Sequence, residues 1–264
     1  MEKIKYTLIL IILVFSAIGG KAQAQADYDR ADYDKNVVKL PVTPMIFNNF
    51  GLQYERMLSK KISLAVSGRY ISGMSPIIRG RIESSIDDPT TVKDLNSLTL
   101  SGSGFTPEVR FYLGRHDGPR GFYIAPYASF SNYRIGLHEF EVRLENDQVP
   151  DEHQGELTKK FDLDGKIKGF SGGLLFGAQW RLGKSVYLDW WFLGASYGSA
   201  NGNLNAISSE NLPQEWQDAL RERLENLDVP LLKIDPSVHS KGVDSKISGP
   251  WAGIRSGLSL GIKF

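Results

Sequence analysis

The sequence predicts an all-β chain: a transmembrane, antiparallel, eight-stranded up-and-down β-barrel with long extracellular loops and one short loop helix. Three observations carry that expectation. First, the closing stretch alternates. Ala252, Ile254, Leu258, Leu260, Ile262 and Phe264 share one parity, and Gly253, Arg255, Gly257, Ser259, Gly261 and Lys263 share the other. A period of two is a strand, because successive side chains point to opposite faces. Its apolar face runs to a terminal aromatic, which suits a strand that meets lipid. Second, no long apolar run follows residue 26. A membrane crossing must then use a closed sheet, the other way to satisfy every backbone group in hydrocarbon. Third, the connections alternate in length. Ser59–Lys61, Gly114–Gly121 and Leu182–Ser185 are short, whereas Ser75–Thr99, His138–Lys166 and Gly198–Ser248 are long. Short turns on one side and long loops on the other are the barrel pattern.

The N-terminus reads as a signal peptide, residues 1–24. Lys3 and Lys5 precede an apolar run over Thr7–Ile18, and Ala22-Gln23-Ala24 is an A-x-A cleavage site, with Ala24-Gln25-Ala26 a second candidate. Residues 25–35 read as a periplasmic tail, acidic and aromatic without period, and residues 36–264 as the barrel. The formal charge is +1, and loss of residues 1–24 removes three lysines and one glutamate, leaving −1. A near-neutral chain gives no electrostatic case for nucleic acid. The absence of cysteine excludes disulfides, thiol catalysis and a lipidated anchor.

Each strand is justified by its own alternation. Val38, Leu40, Val42 and Ile46 share a face opposite Lys39 and Thr43, although Pro41 and Pro44 weaken the run. A turn at Asn48-Asn49 precedes Phe50, Leu52, Tyr54 and Leu58, which lie opposite Gln53 and Glu55. Ile62, Leu64 and Val66 oppose Ser63, Ser67 and Arg69. Phe105, Pro107, Val109, Phe111 and Leu113 alternate with Thr106, Glu108, Arg110 and Tyr112. Phe122, Ile124, Ala128 and Phe130 alternate with Tyr123, Tyr127, Ser129 and Ser131. Phe140, Val142 and Leu144 keep the period, so this hairpin extends outward before turning near Asn146-Asp147 or Pro150-Asp151. Phe170 to Leu182 and Val186 to Phe192 supply two more strands. Splitting Asn36–Leu58 at Asn48-Asn49 gives eight strands with both ends in the periplasm, and even counts are the bacterial rule.

The phrases VVKLPVTPMIFNNFGLQYERMLSKKISLAVSGRY, GFTPEVRFYLG and RGFYIAPYASF, with the Phe-terminated last strand, resemble a family of small outer-membrane β-barrels of Bacteroidetes. Most of its members are known only as domains of unknown function. The resemblance implies an eight-stranded barrel in the outer membrane of a Gram-negative cell, in contact with membrane lipid. It also implies that the terminal Phe264 is read by the barrel-assembly machinery. It supplies no catalytic residue and no cofactor.

The most informative polar group lies on the face opposite lipid: Glu55, Arg69, Glu108, Arg110, Arg181, Asp189, Arg255 and Lys263. Charges in a dry interior must pair, since one left alone costs several kcal/mol. An eight-stranded barrel is just wide enough to be filled by side chains. These residues are therefore expected as a lumen ion-pair core, with a gated ion path as the alternative.

Other motifs carry less. Ala178-x4-Gly183-Lys184-Ser185 matches a relaxed phosphate loop, but a strand follows where a helix is needed. Asp162-Leu-Asp164-Gly165 lacks the further ligands of a calcium loop. His116, His138, His153 and His239 do not pair at metal-ligand spacing. Residues 215–227 have helical period, with Trp216, Leu220, Leu224 and Leu227 on one stripe, and are expected to pack on the barrel's own loops. The expected function is a non-enzymatic outer-membrane barrel, structural or binding an unknown extracellular ligand through its loops. The alternatives are a hydrolase with a rim site at His138 and a narrow solute channel. A soluble lipocalin-like barrel, with the apolar parity inside, is the alternative fold.

Overall fold

The computed structural model describes residues 34–85, 97–143, 158–225, 229 and 231–264. The expected signal peptide, most of the tail, the turns near 146–151 and His153 lie outside them. Among the described residues the strands are β1 (Asn36–Pro41), β2 (Asn49–Met57), β3 (Ile62–Ser72), β4 (Thr99–Tyr112), β5 (Gly121–Arg143), β6 (Thr158–Arg181), β7 (Val186–Ser208), β8 (Lys233–His239) and β9 (Gly242–Lys263). All pairings are antiparallel. The order is β1-β2-β3-β4-β5-β6-β7-β9, and β1 pairs again with β9 to close the ring. Eight strands thus form the barrel. β8 is an addition beside the outer part of β9.

The closing strand explains the closure. Its lower part is paired on both edges, with Val38↔Ile262 and Leu40↔Leu260 on one side and Val186↔Ile262 and Leu188↔Leu260 on the other. A strand paired on both edges leaves no edge for aggregation. Its two faces separate as the alternation predicts. Ile254, Leu258 and Phe264 are exposed on the outside, while Gly257, Ser259 and Gly261 are buried within. The same inversion runs round the ring: Leu52, Phe105, Phe122, Phe130, Phe170, Leu174 and Trp190 all face outward and exposed. β7 carries a bulge between Trp191 and Gly194, which places both Phe192 and Leu193 outside.

Several expectations need correction. The first strand ends at Pro41 rather than Ile46, because Pro41 and Pro44 cannot donate to a ladder. The chain instead forms a 3-10 turn over Pro44–Phe47, ended by Asn48 in the left-handed region (φ 54°). The connection after β3 holds a helix, α1 (Pro76–Glu83), with Pro76 in its first turn and the Ser75 hydroxyl accepting from the Ile78 N–H at 3.3 Å. The span 198–248 is not one loop. β7 continues to Ser208, β8 pairs with β9, and α2 (Gln214–Glu225) lies between. Its Gly-, Asn- and Ser-rich strand sequence lacks an apolar face, but pairing with the charged end of β6 overrides weak propensity. No helix among the described residues is long and apolar enough to cross a membrane.

Beyond the ring, β5, β6, β7 and β9 extend as an open sheet with β8. α2 covers the inward face of this extension. Trp216, Ala219 and Leu220 of α2 pack with Phe161, Leu212 and Val243 into a small apolar core. This matches the expected packing of the helix on the barrel's own outer elements.

Candidate functional site

The lower lumen is built from inward positions of seven strands, β1 to β7. Lys39 on β1 stands opposite Gln53 on β2, and Glu55 stands opposite the small Ala65 on β3, which in turn faces Glu108 on β4. Ala65, fully buried between the two glutamates, and Ser63, the cross-strand neighbour of Arg110, are both small. On the far wall Gln179 of β6 faces Asp189 of β7. Glycines make space too: a Cβ at Gly177 would lie 2.3 Å from the Tyr123 hydroxyl, so Tyr123 lies flat only because position 177 has no side chain.

These side chains form one network. Lys39 Nζ contacts Glu55 Oε2 at 2.5 Å, Asp189 Oδ2 at 2.6 Å and Gln179 Oε1 at 2.5 Å. Arg110 reaches Asp189 at 2.6 Å, Glu108 at 2.9 Å and Glu55 at 3.6 Å, and donates to Gln53 at 3.0 Å. The Tyr112 hydroxyl donates to Glu55 at 2.6 Å and the Tyr123 hydroxyl to Asp189 at 2.8 Å; the Ser63 hydroxyl also donates to Glu55. Arg255 pairs with Glu108 at 2.5 Å and lies 4.0 Å over the Tyr127 ring. Lys39, Glu55, Glu108, Arg110 and Asp189 are each no more than 2% exposed. Three cations (Lys39, Arg110, Arg255) meet three carboxylates (Glu55, Glu108, Asp189), so the network is neutral. Such pairing and hydrogen bonding are what burial of charge requires.

Of the residues predicted for the lumen, Glu55, Glu108, Arg110, Asp189 and Arg255 come together here. Arg181 does not. It sits at the inner turn, donating to the carbonyls of Gly183 and Lys184 and lying 3.5 Å from Asp34, because β6 ends at this residue and its long side chain turns to the rim. Lys263 is also at this rim, 2.7 Å from Asp34. Arg69 stands higher on β3, away from the network, and donates to Ser131 Oγ at 2.8 Å and the Tyr133 hydroxyl at 2.9 Å. Lys39 and Gln179 were missing from the predicted set. Lys39 has the inward parity, opposite Val38 and Leu40, and that signal alone could have found it. Gln179 has the inward parity as well, opposite Ala178 and Trp180, but carries no charge to mark it as an ion-pair member.

Above the network the lumen contains a cavity of about 520 Å³. Glu108 and Arg110 form its floor, Tyr127 and Trp191 its lower wall, and Tyr133 and Trp251, ring centroids 5.6 Å apart, its upper part.

The remaining candidates lie apart from the lumen. His138 is exposed, with Nδ1 3.5 Å from an exposed Asp162 carboxylate. Gly183-Lys184-Ser185 is the turn between β6 and β7, and Asp162 and Asp164 lie within strand β6. Among the described residues no three His, Cys, Asp or Glu side chains are grouped as a metal site. At the inner rim Asp117, in the turn after β4, is held below the usual carboxylate range by Lys60 and Lys61. Phe264 is exposed at the same end, its ring 6.2 Å from that of Tyr54 and its N–H donating to the Asn36 carbonyl.

No family model matches the chain, and no curated protein matches it. Among solved structures it is similar to a major outer membrane protein from Thermus thermophilus, with 11% identity and a TM-score of 0.32, over 87% of this chain and 98% of that one. The fold assignment rests on the chain's own strand pairing.

Proposed function

We propose that the protein is an integral outer-membrane β-barrel that does not conduct ions and carries no enzymatic site, and that it meets its surroundings through its outer sheet and upper lumen. One observation carries this reading: the chain is inside out. Its most buried large side chains include Arg110, Lys39, Gln179, Glu55, Glu108 and Asp189, while Leu52, Leu113, Phe122 and Ile254 are 57% exposed or more. A soluble barrel would place those two sets the other way round. A ring of outward apolar residues round a closed sheet suits hydrocarbon. The Bacteroidetes-type phrases favour the same location, and they make Phe264 the candidate mark for the assembly machinery.

The neutral network, in which every charged side chain meets an opposite charge, supports a lumen filled by side chains over a pore. A conducting path would need water along Arg110 and Asp189, which bond to each other instead. The mature chain should fractionate with the outer membrane and show heat-modifiable gel migration. In planar bilayers, inserted protein should be electrically silent. A protein recovered soluble from the periplasm would overturn the membrane reading, and discrete channel steps would overturn the filled lumen.

A further inference from the structure

Among the described residues the barrel wall has a break beside β1. β1 is short, and its last partners are Gln53 on β2 and Ser259 on β9. Just beyond, the Val42 and Thr43 N–H groups donate to the Leu258 carbonyl, and Thr43 Oγ1 accepts from the Leu258 N–H at 3.0 Å. On the same edge of β9, pairing resumes only at Ser248, with Lys233 of β8. From Pro250 to Gly257, β9 is therefore paired with β7 alone among the described residues. The 3-10 turn and the start of β2 stand across the gap. Pro250, which has no N–H, removes one donor from this open edge.

The gap lies where the outside of the barrel is apolar. Ile254 on its rim is 81% exposed, and Ile46 and Phe47 on the other rim are exposed too. An unpaired strand edge facing hydrocarbon is costly and is tolerated where it lines a polar cavity. Here it does: Thr43, Pro44 and Phe47 on one rim, and Gly253, Ile254 and Ser256 on the other, border the cavity above the network.

That cavity carries positive charge without a matching acid. The network below it is neutral. Arg69 is additional, and its only acceptors among the described residues are the hydroxyls of Ser131 and Tyr133. Arg255 gives one side of its guanidinium to Glu108. The Nε atoms of Arg69 and Arg255 are buried without an acceptor. Both side chains are pressed to the wall by glycines: a Cβ at Gly104 would lie 2.5 Å from Arg69 Nε, and one at Gly194 would lie 2.8 Å from Arg255 Cγ. Two guanidiniums thus border a cavity that opens sideways at membrane depth.

We propose that this gap is a lateral portal for a single-chain anionic amphiphile. Its headgroup sits at Arg69 and Arg255, and its acyl chain passes between the 3-10 turn and β9 into the membrane. The inference rests on the membrane reading, which outer-membrane fractionation and heat-modifiable migration test separately. A carboxylate and a phosphate head share the chemistry that guanidinium recognises.

The test uses the mature chain in phosphatidylcholine nanodiscs, with a dansylated fatty acid as fluorescent reporter. Its competitors are laurate, dodecyl phosphate, dodecanol and butyrate. Laurate, dodecyl phosphate or both should displace the reporter about tenfold better than dodecanol, the size of one charge-assisted hydrogen bond, and at least about tenfold better than butyrate, which keeps the carboxylate but lacks the acyl chain. Which of the two anions wins identifies the headgroup. Arg69→Gln should erase the preference for anion over alcohol and Arg69→Lys should retain much of it. Gly253→Phe fills the gap from a position where a Cβ meets nothing closer than 3.7 Å, and Ser256→Phe does so from the outer rim. Either plug, verified as folded by its gel shift, should weaken every acyl competitor. Displacement by dodecanol or butyrate equal to that by laurate would overturn the proposal. So would an unchanged anion preference in Arg69→Gln, or folded plug variants that bind as the parent does.

Discussion

The barrel and its outer extension contain two different cores on one continuous sheet face. Along β6 the odd-numbered residues face inward from end to end. Phe161, near the outer end, packs against Trp216 and Val243, whereas Gln179, near the inner end, bonds to Lys39 and Arg110. The difference follows from what lies behind the sheet. Behind Phe161 the opposite face carries Lys160 and Asp162, so burial of apolar surface from water can hold α2 in place. Behind Gln179 the opposite face carries Ala178 and Trp180, in a band that we assign to lipid. There the hydrophobic effect no longer distinguishes inside from outside, and hydrogen bonds and ion pairs must specify the interior. On the membrane reading, a sheet that passes from water into lipid changes its core chemistry without changing its parity.

The largest expected effect tests the charged core. Asp189→Ala leaves Lys39 and Arg110 short of a carboxylate and should cost about 3–5 kcal/mol, as for other broken buried ion pairs. Urea unfolding from vesicles, followed by gel shift, should show a clearly lower midpoint. Replacing both partners with Lys39→Met and Asp189→Leu should recover part of the loss, because no charge is then stranded. An unchanged midpoint in Asp189→Ala would mean that the network contributes nothing to holding the barrel.

Next in size is the apolar core. Trp216→Ala empties the centre of the outer cluster, where large-to-small changes cost about 3–5 kcal/mol. That loss should be local. Protease should cut within 209–232 much faster, while the temperature of the barrel's gel shift stays within a few degrees of the parent. If the gel-shift temperature falls as far as it does for Asp189→Ala, the lumen network and the outer cluster are one cooperative unit rather than two cores.

The barrel was legible in the sequence because an apolar outer face set against a polar inner one enforces strict alternation. Glu55, Glu108, Arg110, Asp189 and Arg255 could be assigned to one face from parity alone. Parity gives a face but not a height. That is why Arg69 and Arg181 were grouped with them, although Arg69 stands above the network and Arg181 ends at the inner rim. Lys39 was missed beside Pro41 and Pro44, which made its strand look doubtful; the same prolines end that strand early and leave the lateral gap. The extension of β7 through Gly198–Ser208 was illegible for a different reason. Much of it has water on both sides, so no apolar period marks it, and its place depends on pairing with β6 and β9. α2 was readable because its stripe serves a core of the ordinary kind.

The smallest predicted effect concerns the join between N- and C-termini at the inner rim. Burial of the Asp34 carboxyl opposes ionisation. Hydrogen bonds from Lys263 and Tyr187, with the charges of Lys263 and Arg181, outweigh it and hold the group below its ordinary value of 3.8. A carboxyl with a depressed folded-state pKa binds protons less readily in the folded than in the unfolded chain. Its stabilising contribution is complete above the unfolded value and disappears as pH falls through the folded one. The difference in thermal stability between the parent and Asp34→Asn should therefore be constant from neutral pH down to about pH 4 and shrink below it. It should be modest, since solvent reaches the rim and screens the pairs. Gel-shift melting at a series of pH values measures it. A difference that persists undiminished in strong acid would show that Asp34 acts by packing rather than by charge, and that electrostatic fastening is confined to the lumen.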